Sequence, residues 1–147
     1  MTFEVAINHV LNQEGGISND PNDAGGLTKR GISTSFYQGL VKNNGYKNKL
    51  VTKLTDAEIV AIYRKWFWEA SGANRIENPA LALQVFDFAV NASVTKASRL
   101  FKNGNTTPLA YKKARIMFYK SRPKCPIYCD GWIARANRTY RKGLELS

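Results

Sequence analysis

The chain has 147 residues, 44% of them apolar and 12% aromatic, a composition that excludes a disordered protein and suits one domain with its own core. Lys and Arg number 22 against 11 Asp and Glu, a formal charge of +11 that favours a polyanionic partner: nucleic acid, an anionic membrane surface or an acidic glycan. No apolar run approaches the ~18 residues needed to cross a bilayer, and the stretch MTFEVAINHVLNQEGG lacks the basic region and unbroken apolar segment of a signal peptide, so the expectation is cytosolic synthesis.

Helical periodicity dominates the chain. Phe3, Ile7, Val10 and Leu11 fall on one face of a first helix, and Glu14 falls on the same face at its end. A carboxylate centred on an apolar stripe is unusual, because burying its charge is costly and exposed positions lie one residue away. Gly15-Gly16 reads as a C-cap that stops this helix. Between Gly15 and Ser35 there is room for a glycine-rich loop with at most a short β-hairpin, Gly25-Gly26 being a plausible tight turn.

A second helix is predicted from Thr55, where T-D-A-E matches a capping box, with Ile59, Ile62, Tyr63, Trp66 and Phe67 on one side. Asn78-Pro79 opens a nearly all-apolar helix through Leu83, Val85, Phe86 and Ala89, which should be central; Asp87 inside it reads as a buried structural hydrogen-bonding group. Further helices are predicted over 96–102, over 109–121 after Pro108, and over 132–142. Asn103-Gly104-Asn105 is a turn, and the segment 122–126 (R-P-K-C-P) reads as a proline-punctuated connection. Cys125 and Cys129 read as reduced structural thiols. With His9, the sole histidine, far away in sequence, no metal site and no cofactor are expected.

Glycosidic cleavage needs a carboxylic acid to protonate the leaving oxygen, plus groups that position water or stabilise an oxocarbenium-like transition state. A glutamate on an apolar helix face is suited to the first task, since desolvation raises its pKa. Asp20, Asp23 and Thr28 follow on the loop, offering a second carboxylate and a hydroxyl. Read structurally, Glu14 would instead pair with Lys29 or Arg30, and Asp20 and Asp23 would serve as turn residues. Trp66, Phe67 and Trp68 cannot all face one way, so one is free to reach a cleft as a sugar platform while the others pack in the core.

The residues E-G-G-I-S-N-D-P-N-D-A-G-G-L-T-K-R-G-I-S, 14 to 33, resemble the signature of glycoside hydrolase family 108, phage endolysin N-acetylmuramidases of lysozyme-like helical fold. F-D-F-A-V-N-A-S, residues 86 to 93, is similar to the start of a helical segment described as a predicted peptidoglycan-binding region. The resemblance implies a mostly α, lysozyme-like domain spanning 1–147, with the hydrolase motif region over 8–90 and the helical segment over 91–147. It implies peptidoglycan as substrate, Glu14 as catalytic acid, and release through a holin if this is a phage lysis protein. The Glu14, Asp23, Thr28 spacing echoes the Glu, Asp, Thr triad of phage-type lysozymes. Asp23 and Thr28 are therefore the candidate catalytic partners of Glu14, and Asp20, Arg30 and Trp66 the candidate substrate contacts. A monomer in electrostatic contact with the anionic envelope is expected. The rival classes are an inactive wall-binding or secretion-accessory protein of the same fold, and a basic nucleic-acid-binding module, for which no motif is present.

Overall fold

The computed structural model describes residues 1–14, 17–18 and 27–147. Gly15-Gly16, Gly25-Gly26, Asp20 and Asp23 lie outside the described residues. The chain begins with α1 (Phe3–Glu14), then β1 (Ile17–Ser18), β2 (Thr28–Lys29), β3 (Ile32–Ser33) and α2 (Thr34–Asn44). The three strands form an antiparallel sheet in the order β1-β2-β3, with Ser18 opposite Thr28 and Thr28 opposite Ser33. One hairpin was the most that the loop chemistry suggested; two share β2. The second is closed by Arg30 and Gly31, both at positive φ (48° and 89°), the backbone that a tight two-residue hairpin requires.

The rest is helical: α3 (Asp56–Tyr63), continued by a π-helical stretch over Arg64–Glu69, then α4 (Pro79–Asn91), α5 (Val94–Lys102), α6 (Pro108–Lys120) and α7 (Cys125–Glu145), with single 3-10 turns at Val51–Lys53 and Ala73–Arg75. The predicted starts at Thr55 and Asn78 hold, while α2, capped by Ser33 on Phe36 N, is a helix that the sequence reading did not include. Thr55 accepts from Glu58 N and Glu58 returns the bond to the Thr55 backbone, completing the box at α3. Asn78 accepts from Leu81 N with Pro79 in the first turn of α4. Burial follows the sequence too, since every residue from Ala80 to Ala89 on α4 is buried. At about 1.5–3 kcal/mol for each large apolar side chain, this helix is the largest single source of core stabilisation.

Two expectations are corrected at α7. The segment 122–126 is not a connection throughout, because Pro126 sits in the first turn of the helix, where a missing N–H is tolerated, and α7 starts seven residues before Trp132. Cys125 and Cys129 then stand one turn apart on the same face, and they are joined as a disulfide rather than kept as thiols.

Helix α7 packs against α4 through a glycine. A Cβ at Gly143 would stand 2.8 Å from Ala80 Cα and 3.2 Å from its carbonyl oxygen, so the two backbones approach as closely as they do only because Gly143 has no side chain. Gly131, on the same helix, has nothing within 4 Å of its own Cβ position. The two therefore respond oppositely to alanine. Gly131→Ala should gain up to about 1 kcal/mol of helix propensity, whereas Gly143→Ala should lose about 1–3 kcal/mol net by overpacking. Urea midpoints of the two variants read both signs.

Candidate active site

Glu14 is the last residue of α1, and its side chain is 17% exposed. Its partner is neither Lys29 nor Arg30. Lys29 Nζ donates to the Leu54 carbonyl at 2.8 Å, and Glu14 Oε1 instead accepts from Arg135 Nη1 of α7 at 2.8 Å. The apolar surroundings expected from the α1 stripe are thus replaced, on one side of the carboxyl, by a guanidinium. On another side lies the β2–β3 turn. A Cβ at Gly31 would fall 2.9 Å from Glu14 Cδ and Cγ and collide with the Tyr63 hydroxyl, which donates to the Arg30 carbonyl. Burial, with the Glu14 charge adding to it, pushes the Tyr63 phenol well above its ordinary range, so it stays a proton donor to that turn.

Arg135 is held by Asp87, the buried carboxylate in the middle of α4. Arg135 Nη2 donates to Asp87 Oδ1 at 2.9 Å and Nε to Oδ2 at 3.1 Å, a fork whose geometry fixes the guanidinium plane. Arg115 of α6 donates to Asp87 Oδ2 at 2.7 Å and to the Tyr119 hydroxyl at 2.8 Å, and Tyr119 in turn donates to Asn91. Thr139 donates its one hydroxyl proton to Asp87 at 3.2 Å, so the His9 ring nitrogen 2.9 Å from Thr139 Oγ1 acts as donor. Burial alone would push the Asp87 carboxyl up; the two guanidiniums outweigh it and hold the group well below the usual carboxylate range. Burial also pushes His9 below its ordinary value, with Asp87 opposing. Arg115 and Arg135, which the basic composition of the last third presents as surface charge, are 0% and 9% exposed respectively and belong to this cluster.

The other predicted residues are distributed as follows. Thr28 lies on β2, half-buried, paired across the sheet with Ser18 and Ser33. Asp20 and Asp23 fall in the undescribed stretch between the strands β1 and β2. Arg30 contributes its backbone carbonyl to Tyr63. Trp66 is half-buried and turned to α2's end: its indole N–H donates to Tyr46 Oη at 2.9 Å, and Lys65 lies over its ring. Phe67 packs on Phe36 and Tyr63, and Trp68 on Phe3 and Phe86. Arg135, Gly31 and Tyr63 are the neighbours of Glu14 that sequence reasoning missed; for Gly31 the signal was the glycine that follows Arg30 in a two-residue hairpin turn. Among the described residues no three His, Cys, Asp or Glu side chains are grouped to hold a metal ion, and no helix is long and apolar enough to cross a membrane.

A glutamate at the end of the first helix, facing a small antiparallel sheet and backed by a helical body, defines a lysozyme-like, mostly α-helical fold. The solved structure of Brucella abortus SagA is similar over nearly the whole length, with a TM-score of 0.84 and 22% identity over 97% of this chain and 94% of that one. The glycosyl hydrolase 108 family matches residues 7–92, and the chain belongs to that family. No curated protein matches it.

The buried cluster sets a pH dependence of stability. In the unfolded chain His9 takes up its proton near the ordinary value of 6.5, and in the folded chain only at lower pH, so the unfolded state binds the extra proton first. The contribution is fully present above pH 6.5 and is lost as pH falls through the folded value. Asp87 adds a second loss below its ordinary 3.8, where only the unfolded carboxyl is protonated. Melting temperature should therefore fall in two stages on acidification, and His9→Gln should flatten the first stage only.

Proposed function

We propose that the chain is a peptidoglycan hydrolase that cleaves the β-1,4 bond between N-acetylmuramic acid and N-acetylglucosamine, with Glu14 as general acid, in the setting of a phage endolysin acting as a monomer. The observation that carries this reading is the clamped geometry of Glu14. One carboxyl oxygen, Oε1, accepts from Arg135 Nη1 at 2.8 Å, and Gly31 packs on Glu14 Cδ and Cγ, so the group is held from two sides.

Asp23, together with Thr28, is proposed to orient water or to stabilise positive charge on the sugar. The Ser18–Thr28 pair joins the two ends of the segment that carries Asp20 and Asp23, and Thr28 is three residues from the Gly31 that packs on Glu14. Asp20, Arg30 and Trp66 are proposed sugar contacts, Trp66 through its ring edge, given its bond to Tyr46. Residues 91–147 are proposed to belong to the same catalytic body rather than to a separate binding unit, because α7 supplies Arg135.

Glu14→Gln keeps the shape and removes the transferable proton, so release of reducing ends from purified sacculi should fall by at least ~10²-fold. Asp23→Asn should lower turnover while leaving sacculus binding nearly unchanged. Near-normal activity of Glu14→Gln would remove the assignment, and a damaging Asp20→Asn beside a harmless Asp23→Asn would exchange the two aspartates. A wall-binding protein of the same fold would bind sacculi and release no reducing ends. Mass spectrometry of the digest identifies the bond cut.

The exposed basic residues of α6 and α7, among them Lys113, Lys120, Arg138, Arg141 and Lys142, are proposed to hold the protein near anionic envelope polymers. The screening length shrinks from about 10 Å at ~0.1 M salt to about 3 Å at ~1 M. Sacculus binding should weaken steeply over that range, while cleavage of a short soluble muropeptide oligomer changes much less. Equal retention on sacculi at both salt concentrations would reduce these side chains to a solvated face.

A further inference from the structure

Asn91, Tyr119, Trp132, Phe118, Lys96 and Arg122 contribute to the wall of a cavity of about 320 Å³. Three of its residues come from α4, α6 and α7, helices that also carry the buried charge cluster. Asn91 stands one turn beyond Asp87 on α4, Tyr119 one turn beyond Arg115 on α6, and Trp132 just under one turn before Arg135 on α7. Each is about 5 Å along its helix from a group of the cluster. The wall is ordered by that cluster, since Arg115 donates to the Tyr119 hydroxyl, Tyr119 donates to Asn91 Oδ1, and the Tyr119 ring stacks on Trp132 with centroids 5.2 Å apart. The Asn91 oxygen being used, its N–H donors are what it offers a ligand.

The charge in this wall is of one sign. Lys96 Nζ and Arg122 Cζ lie 5.7 and 5.1 Å from the centre of the Phe118 ring, and among the described residues neither forms an ion pair with a carboxylate. A second cleft of about 250 Å³ borders the first: Ala92 lines both, and the second also touches Gly31. Gly31 is the residue that packs on Glu14. The two openings thus meet at Ala92, one on the side of the turn beside the proposed acid and the other on the side of Lys96 and Arg122.

Resting on the peptidoglycan reading above, we propose that this cavity receives the acidic stem peptide of a glycan strand whose sugars lie beside Glu14. Free carboxylates of the peptide meet Lys96 and Arg122, a backbone carbonyl accepts from Asn91, and the short aliphatic side chains lie on Phe118 and the exposed edge of Trp132. A bare saccharide, which carries few charges and many hydroxyls, does not match a wall of three cationic residues, Lys96, Arg122 and Lys124, and three rings, whereas a short peptide with anionic groups separated by aliphatic carbon does.

The test compares glycan strands that carry stem peptides with strands stripped of them by an amidase. The unaltered protein should show a KM at least about tenfold lower on the peptide-bearing strands, the size expected of one charged hydrogen bond. Lys96→Met combined with Arg122→Met keeps the apolar cover of Phe118 and should abolish that preference, while Lys42→Met with Lys47→Met, an equal loss of charge elsewhere, should keep it. In parallel, binding of a soluble stem tetrapeptide to the Glu14→Gln protein is followed by 15N NMR at the Trp132 indole. Saturable shifts that vanish in the Lys96, Arg122 double variant support the cavity; absence of binding, or equal binding by both proteins, overturns it. If the protein cleaves neither kind of strand, the peptidoglycan reading falls, and the NMR titration still decides the cavity.

Discussion

The carboxylate of Asp87 is the point on which the architecture turns. It is fully buried on α4 and accepts from Arg135 of α7, Arg115 of α6 and Thr139 of α7, while His9 of α1 reaches it through Thr139. Four helices thus meet at one anion. Buried ion pairs contribute little net stability compared with well-packed apolar groups, because desolvation offsets the attraction; what they do is penalise every arrangement in which a partner is missing. Here two guanidiniums would leave an excess positive charge over Asp87 alone. Glu14 is the second carboxyl group that Arg135 holds, so α1 too delivers its last residue to the cluster. The proposed acid is in this sense part of the structural core of charge, not an appendage on a surface loop.

The place of Glu14 at the end of the first helix was legible in sequence, and its partner was not. A glutamate on an apolar helix stripe, followed by glycines and aspartates, is a local pattern. Arg135 is 121 positions away, and nothing in its own neighbourhood distinguishes it from Arg138 or Arg141, which remain exposed. Arg115 and Arg135 were hidden for the same reason: composition counts charges and cannot see which of them point inward. Asp87 was legible as structural because its flanks are so apolar that a charged residue there must find partners. Helix starts were read correctly at Thr55 and Asn78, but α2, whose Ser33 cap accepts from Phe36 N in the same way, was not read as a helix. The start of α7 was misread because a proline has two meanings, breaker in a helix interior and starter in its first turn, and the residues after Pro126 decide between them.

The aromatic run at Trp66, Phe67 and Trp68 shows a different kind of resolution. On a regular helix three successive side chains point about 100° apart, and one would be left in solvent. The stretch Arg64–Glu69 is π-helical instead, which widens the turn and changes the angle at which each ring leaves the backbone. All three rings find partners: Trp66 with Tyr46, Phe67 with Phe36 and Tyr63, Trp68 with Phe3 and Phe86. Packing against Tyr63 and Phe3 ties this segment to both the residue that holds the β2–β3 turn and the start of α1.

That tie explains why the β2–β3 turn sits where it does. Tyr63 is the last residue of α3, and its hydroxyl fixes the Arg30 carbonyl. Gly31 can then approach Glu14 only because it has no Cβ and because positive φ is open to it. The small sheet is therefore positioned against the carboxyl from the α3 side, as Arg135 positions it from the α7 side. Glu14 ends α1 between two constraints that belong to different parts of the chain, one aromatic and one ionic. A short motif specifies the proposed acid; its orientation is set by tertiary contacts contributed from α3 and α7, and a change in either would move the carboxyl without altering a residue of the motif.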